Sequence, residues 1–346
     1  MENRFKGAFE TIKPNKEHKD KLWHEMMIKV ESETINKRIP VSWRHVRSAM
    51  LAATVMICLL TTTAFAASYM GLDMKFLNFL NPANSEQQIY LENGAHAVNK
   101  QATNENGTLE VKQIIGDSHL IYILMDFTAP EGIVLDAKRY RFETFLSFDK
   151  LSSYSGSTDF DLLDDENPND NKISLMMSYL TLTKDVAGSP VTLLVSNLEE
   201  ADVYPDVYKK INSGSWEMNF NLDYKDISTT YQINQGIELY NYEATLSSIS
   251  ISPISVTIKV DSAHTKKIFE AANLARREIG LNEYEDSYPI TIHYKDGTSE
   301  TTAVFKGMTS GDLVSNTITI VKPFTPIIND KEIKSVEFFG TIIAMN

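Results

Sequence analysis

Residues 108–127, TLEVKQIIGDSHLIYILMDF, decide the fold class. Two runs rich in Val, Ile, Leu, Tyr and Phe flank Gly116-Asp117, a pair that suits a turn. Apolar runs of this length, bounded by turn residues, read as paired strands, so the segment is expected to form a β-hairpin. The same pattern continues outward. RFETFLSF (141–148), KISLMMSYLTL (172–182), PVTLLVSNL (190–198) and WEMNFNLDY (216–224) are further expected strands, several with apolar residues at every second position. A second group holds YEATLSSISISP (242–253), SVTIKV (255–260), PITIHYKDGTSETTAVF (289–305), NTITIV (316–321) and SVEFFGTII (335–343). Lys295-Asp296-Gly297-Thr298 is a strong hairpin turn within it. One helix is expected among these strands, over 265–279, with Ile268, Ala272 and Ala275 on one face. Strand sets of this kind close by packing sheet on sheet, so the chain reads as mainly β, with two β-sandwich domains at 85–226 and 227–346. No short-period repeat is visible, and whether the sandwiches are duplicates stays open.

The first 84 residues differ in kind. No charged residue lies between Arg47 and Asp73, and the stretch 49–67, AMLAATVMICLLTTTAFAA, is dense enough to span a bilayer. A transmembrane helix is expected over 48–69, with an apolar helical stub at 70–84 that continues it or lies on its outer face. Lys37, Arg38, Arg44 and Arg47 precede the span and only Lys75 follows closely, which puts residues 1–47 in the cytoplasm and the C-terminal bulk outside. A second reading stands beside this one. Met50–Leu60 has the length of a signal-peptide core, and Ala64-Phe65-Ala66 resembles a signal-peptidase site, although 47 residues is long for a leader's first region.

Charge follows the same division. Residues 1–47 carry 11 Lys/Arg and 7 Asp/Glu, whereas the rest carries 22 and 39, within a net charge of −13. The acidic bulk repels phosphate backbones, which argues against direct nucleic-acid binding. The one cysteine, Cys58, lies in the apolar stretch, so the C-terminal bulk holds no internal disulfide and depends on its cores.

In the tail, Phe5, Phe9 and Ile12 share a helical face, Pro14 breaks the pattern, and a second helix is expected from Lys16 to about Ser32. Leu22 and Met26 lie on one side of it, with Trp23, Met27 and Val30 adjacent. So short a tail builds no core, and its apolar anchors need an external surface, either a protein partner or the inner leaflet of the bilayer; a merely disordered tail is the third reading. Glu17, Asp20, Glu25, Glu31 and Glu33 favour the protein. Leu22, Trp23, Met26 and Val30 are the expected partner-binding residues.

Catalytic chemistry finds little support. Ser147 and Lys150 match S-x-x-K without its companion elements. His24-Glu25 opens a zinc-protease pattern, but Ile28 stands where the second His belongs. His96, His119, His264 and His293 are scattered. Asp159, Asp161, Asp164, Asp165, Glu166, Asn169 and Asp170 read as a solvated acidic loop, without the spacing of a calcium loop. No catalytic residue, cofactor or metal is expected, and the chain is expected not to be an enzyme.

The layout resembles membrane-anchored, anti-sigma-factor-like proteins of Gram-positive bacteria, of the type that carries a DUF4179 domain followed by an immunoglobulin-like domain. FETIKPNKEHKDKLWHEMM (9–27) looks like their cytoplasmic helix, and TTTAFAAS (61–68) with its Leu/Phe stub like their anchor. GTLEVKQIIGDSHLIYILMDF (107–127) and DDENPNDNKISL (164–175) look like the first outer domain. YKDGTSE (294–300) and IKSVEFFGTII (333–343) look like the second. The resemblance implies that the tail holds an extracytoplasmic-function sigma factor at the membrane. The zinc-binding His/Cys pattern of another anti-sigma class is absent. The competing expectation is an envelope protein whose outer domains bind cell wall or a protein partner while the tail stays passive.

Overall fold

The apolar run that opens the described chain is spent on a sheet. A computed structural model describes residues 72–346, apart from 149–155, 164–166, 168–169, 183–185, 202–206, 280–288, 304–307, 313–314, 325, 339 and 346. The expected tail and span therefore lie outside the described residues. Among the described residues no helix is long and apolar enough to cross a membrane.

The expected stub at 70–84 holds one short capped helix, and a second, separately capped helix follows it at the start of the expected first outer domain. Asp73 accepts from the Lys75 amide and starts α1 (Met74–Leu80). Asn81, in the left-handed region, ends it before Pro82. Asn84 then accepts from the Gln87 amide and starts α2 (Ser85–Gly94). Both helices supply residues to one apolar cluster on the outer face of the first large sheet, in which Leu72, Phe76, Leu80 and Leu91 meet Ile115, Leu120, Tyr122 and Leu124. Each such side chain contributes roughly 1.5–3 kcal/mol on burial, which explains why the run folds back onto protein.

The protein is mainly β, with several antiparallel sheets. The first sheet has the order β1-β2-β3-β6-β5, from strands His96–Asn104, Gly107–Gly116, Leu120–Thr128, Lys172–Thr181 and Gly156–Leu163. It faces a three-stranded sheet, β4-β7-β8, from Arg139–Phe148, Pro190–Ala201 and Lys209–Asn221. Their shared core includes Ile123, Met125 and Phe127 from β3 and Leu193 and Val195 from β7. In it Trp216 of β8 packs edge-on against Phe127 at 5.2 Å, and its Nε1 donates to the Gly107 carbonyl at 3.0 Å. β3 is covered on both sides, by this core and by α1, and that is why its sequence is apolar without interruption from Leu120 to Met125.

The second pair repeats the order. β9 (Thr229–Leu239), β10 (Tyr242–Ile251), β11 (Ser255–Asp261), β14 (Met308–Asp312) and β15 (Thr317–Pro323) form a sheet of order β14-β15-β11-β10-β9. It faces β13-β12-β16-β17, from Ser299–Ala303, Pro289–Tyr294, Ile333–Phe338 and Thr341–Ala344. The helix α3 (Thr265–Ile279) joins β11 to β12 and puts Ile268 into the shared core. Read along the chain, both pairs place their first three strands side by side, bring later strands in beside the third, and build the facing sheet from the remainder.

The match extends to irregularities. Lys112 and Ser247 are the extra residues of β2 and β10, each opposite a bulge in the preceding strand. In those bulges Asn99 has φ 48° and Asn234 φ 54°. Asp126 accepts from Ser174 across β3–β6 at 2.6 Å, and Asp261 accepts from Thr317 across β11–β15 at 2.7 Å. Equivalent positions from Val98 to Asp126 and from Ile233 to Asp261 run without a gap, offset by 135 as Asp126 is from Asp261. The two sheet pairs are structural duplicates, the point the sequence reading left open.

One expectation is corrected. Asp159 and Asp161 do not sit in a loop. They lie on β5, the edge strand of the first sheet, paired with Ser178 and Met176 of β6. Both are exposed, and an edge strand tolerates outward charge because solvent keeps it hydrated.

Candidate functional site

The passage from β8 to β9, residues 222–228, brings two equivalent turns into contact. The β2–β3 turn begins with Asp117, which is 2% exposed. One of its carboxylate oxygens accepts from the amides of His119 and Leu120 at 2.9 and 2.8 Å. The other accepts from the hydroxyls of Ser252 and Ser255, in the β10–β11 turn and at the start of β11, at 2.5 and 2.6 Å. A buried carboxylate must have its lone pairs filled, and here half of the donors come from each sheet pair. Tyr224 donates to the Asp117 carbonyl at 3.1 Å; burial first, then Asp117 and Asp226, push its phenol far up, so it stays protonated. Apolar contacts extend the junction, with Ile254 and Ile327 joining the cluster beneath α1 and α2.

Beside this junction lies a cleft of about 650 Å³. One wall is the β2–β3 turn with Val186 and the passage residues Tyr224 and Asp226. The floor is the outer face of β9, β10, β11 and β15. In β11, Val256, Ile258 and Val260 turn inward to the core, which leaves Thr257, Lys259 and Asp261 for the cleft. In β10 the bulge at Ser247 lets Ser247 and Ser248 both line it, followed by Ser250.

His119 is the only histidine among the described residues that lines this cleft. It is 3% exposed, and its Nδ1 lies 2.9 Å from the Thr181 carbonyl, which requires that nitrogen to carry the proton. Burial, reinforced by Lys259, holds the imidazole below the usual histidine range despite the Thr181 bond, so the ring is neutral at pH 7. Nε2 is left as an acceptor. No described hydrogen bond joins a Ser or Thr hydroxyl to a histidine ring, and the hydroxyls of Ser252 and Ser255 are directed to Asp117 instead. The arrangement offers many hydrogen-bonding groups on a fixed floor.

The other residues singled out by sequence do not converge here. Leu22, Trp23, Met26 and Val30 lie outside the described residues, as does Lys150. Ser147 sits half-buried on β4. His293 pairs with Glu337 at 3.3 Å on β12, and His264 lies 5.6 Å from the Tyr242 ring. Among the described residues no three His, Cys, Asp or Glu side chains gather as metal ligands would.

No family model matches the chain, and no curated protein is similar to it. Among solved structures, a conserved domain protein from Bacillus anthracis is similar at 15% identity, over 78% of this chain and 84% of that one, with a TM-score of 0.48. That likeness assigns no role to any residue described above.

Proposed function

We propose that the chain is a single-pass membrane regulator of the anti-sigma type, with two immunoglobulin-like domains outside and a tail that sequesters an extracytoplasmic-function sigma factor. Residues 48–69 would form the span, with residues 1–47 in the cytoplasm. The observation that carries this reading is the clamp at Asp73, four residues beyond the proposed span. Its amide donates to Gln113 Oε1 at 2.8 Å, and its carboxylate pairs with Lys112 at 2.5 Å, both on β2. Lys75 donates to Ser174, which in turn donates to buried Asp126. Asp126 also pairs with Lys172 at 2.9 Å. A membrane helix that runs into such a clamp would be mechanically continuous with the outer sheet, as a signalling device requires. The domain type rests on strand order: β2-β3-β6-β5 facing β4-β7-β8 is the arrangement of a seven-stranded immunoglobulin domain, with β1 added.

In the tail, Leu22, Trp23, Met26 and Val30 would be the anchors of the sigma contact, since buried aromatic and aliphatic groups dominate such interfaces. The test is affinity capture with tagged residues 1–47 in the source cell. A sigma factor should co-purify and be lost on Trp23→Ala or Leu22→Asp. Clean bait without any sigma factor refutes the sequestering role. The cleft favours a second reading, in which the outer domains bind an envelope component whether or not the tail has a partner.

A further inference from the structure

We infer that the cleft beside Asp117 is a glycan site, taking a neutral, polyhydroxylated segment along β10 and β11; this deepens the envelope-binding reading and does not depend on the sigma factor. The duplication identifies the seat. In the first sheet pair the outer face of β3 is apolar and α1 and α2 cover it, with Phe79 packed edge-on to Tyr122 at 5.5 Å. The residue equivalent to Tyr122 is Thr257, on the face that forms the cleft floor. A face that takes a helix in one copy is polar and open in the other.

Its groups have unused capacity. Thr257 is 2% exposed and Ser248 9%, and neither hydroxyl has a hydrogen-bond partner among the described residues. His119 adds the free Nε2 acceptor from the opposite wall. Among the described residues no buried side-chain polar atom is left unsatisfied, so these groups open to the solvent of the cleft, and a row of sugar hydroxyls, which both donates and accepts, can take the place of that water. Charge selects against the alternative of a phosphorylated polymer. Asp117, Asp226 and Asp261 line the cleft against Lys259 alone, while His119 is neutral, so an anionic ligand meets net repulsion. The volume of about 650 Å³ lies within the roughly 300–1,000 Å³ of small-ligand sites.

The test uses the purified full chain in a non-glycosidic detergent, so that no headgroup competes. Cellotetraose, maltotetraose and tetra-N-acetylchitotetraose are titrated by saturation-transfer NMR and calorimetry, with inorganic phosphate as the anionic control. At least one oligosaccharide should bind saturably with Kd below about 1 mM, and phosphate should not displace it. Thr257→Val keeps the shape and removes the hydroxyl, so it should weaken binding at least tenfold with an unchanged melting temperature. Gln232→Ala, on the exposed edge strand β9, gives a second variant with little risk to folding, and it should weaken binding as well. Binding of none of the three sugars, unchanged affinity in both variants, or phosphate binding in their place each overturns the proposal. Sugar binding without a captured sigma factor refutes the regulator alone, and capture without sugar binding refutes the glycan site alone.

Discussion

Asp117→Ala should uncouple the two sheet pairs. The substitution removes the acceptor of four hydrogen bonds, two from amides and two from hydroxyls. The hydroxyls can partly recover, because Ser252 Oγ already lies 3.4 Å from the Ser255 carbonyl and accepts from the Ile254 and Ser255 amides. The amides of His119 and Leu120 have no such recourse in a turn held by its neighbours. Hydrogen bonds to a charged acceptor contribute about 1.5–3 kcal/mol each, and a buried donor left unsatisfied costs about 1–3 kcal/mol. Two stranded amides and two half-compensated hydroxyls therefore give a loss of about 3–5 kcal/mol. Asp117→Asn keeps one oxygen for the amides, and its NH2 can donate to rotated hydroxyls, so it should lose only about 1–2 kcal/mol. The assay is urea unfolding of the full chain followed by two probes. Trp216 lies in the first sheet pair, and the other two tryptophans, Trp23 and Trp43, can be replaced by Phe so that fluorescence reports that pair alone. Far-UV circular dichroism reports both pairs. The parent should show coincident transitions, and Asp117→Ala should separate them. A loss below about 1 kcal/mol with coincident transitions would refute Asp117 as the junction.

Phe76→Ala empties a fully buried position under α1 and should cost about 3–5 kcal/mol; a loss below about 1 kcal/mol in urea unfolding would make the helix a peripheral addition. Asp126→Asn tests the charge network by pH. Burial disfavours the Asp126 carboxylate, but Ser174, Lys172 and Lys112 outweigh it and hold the group below the usual carboxylate range. Its contribution is thus complete above about pH 4 and lost as pH falls through the lowered folded value. The variant should be about 1–3 kcal/mol less stable at pH 7 and should lack that acid-side step, and parallel stability curves from pH 7 to 2 would refute the network.

Strands announced themselves in sequence where a core lay on one or both faces. β3, β6, β7 and β10 carry that core as runs or alternations of Val, Ile, Leu and Met, and Asp296-Gly297 marks a turn by its own backbone chemistry. Edge strands were hidden. β1 reads HAVNKQATN and β5 GSTDFDLL, because a strand with solvent along one edge and face needs few apolar residues. The run at 72–80 was legible as an apolar helix, but its burial against a sheet depends on residues 40 to 100 positions away, such as Gln113 and Ser174.

The sequence by itself determined the β class, the strongest turns and the placing of α3, since each depends on neighbours within a few positions. The tertiary structure alone decided the duplication and the cleft. Only five residue pairs are identical along the matched stretch, Asn99/Asn234, Asn106/Asn241, Ile114/Ile249, Ile123/Ile258 and Asp126/Asp261, because a bulge and an inward-facing core position constrain shape more than identity. Ser248 and Thr257 look in sequence like the ordinary solvated side of a strand. They become a lined floor opposite His119 only because Asp117 draws two turns together across 135 residues, and no local pattern encodes that contact.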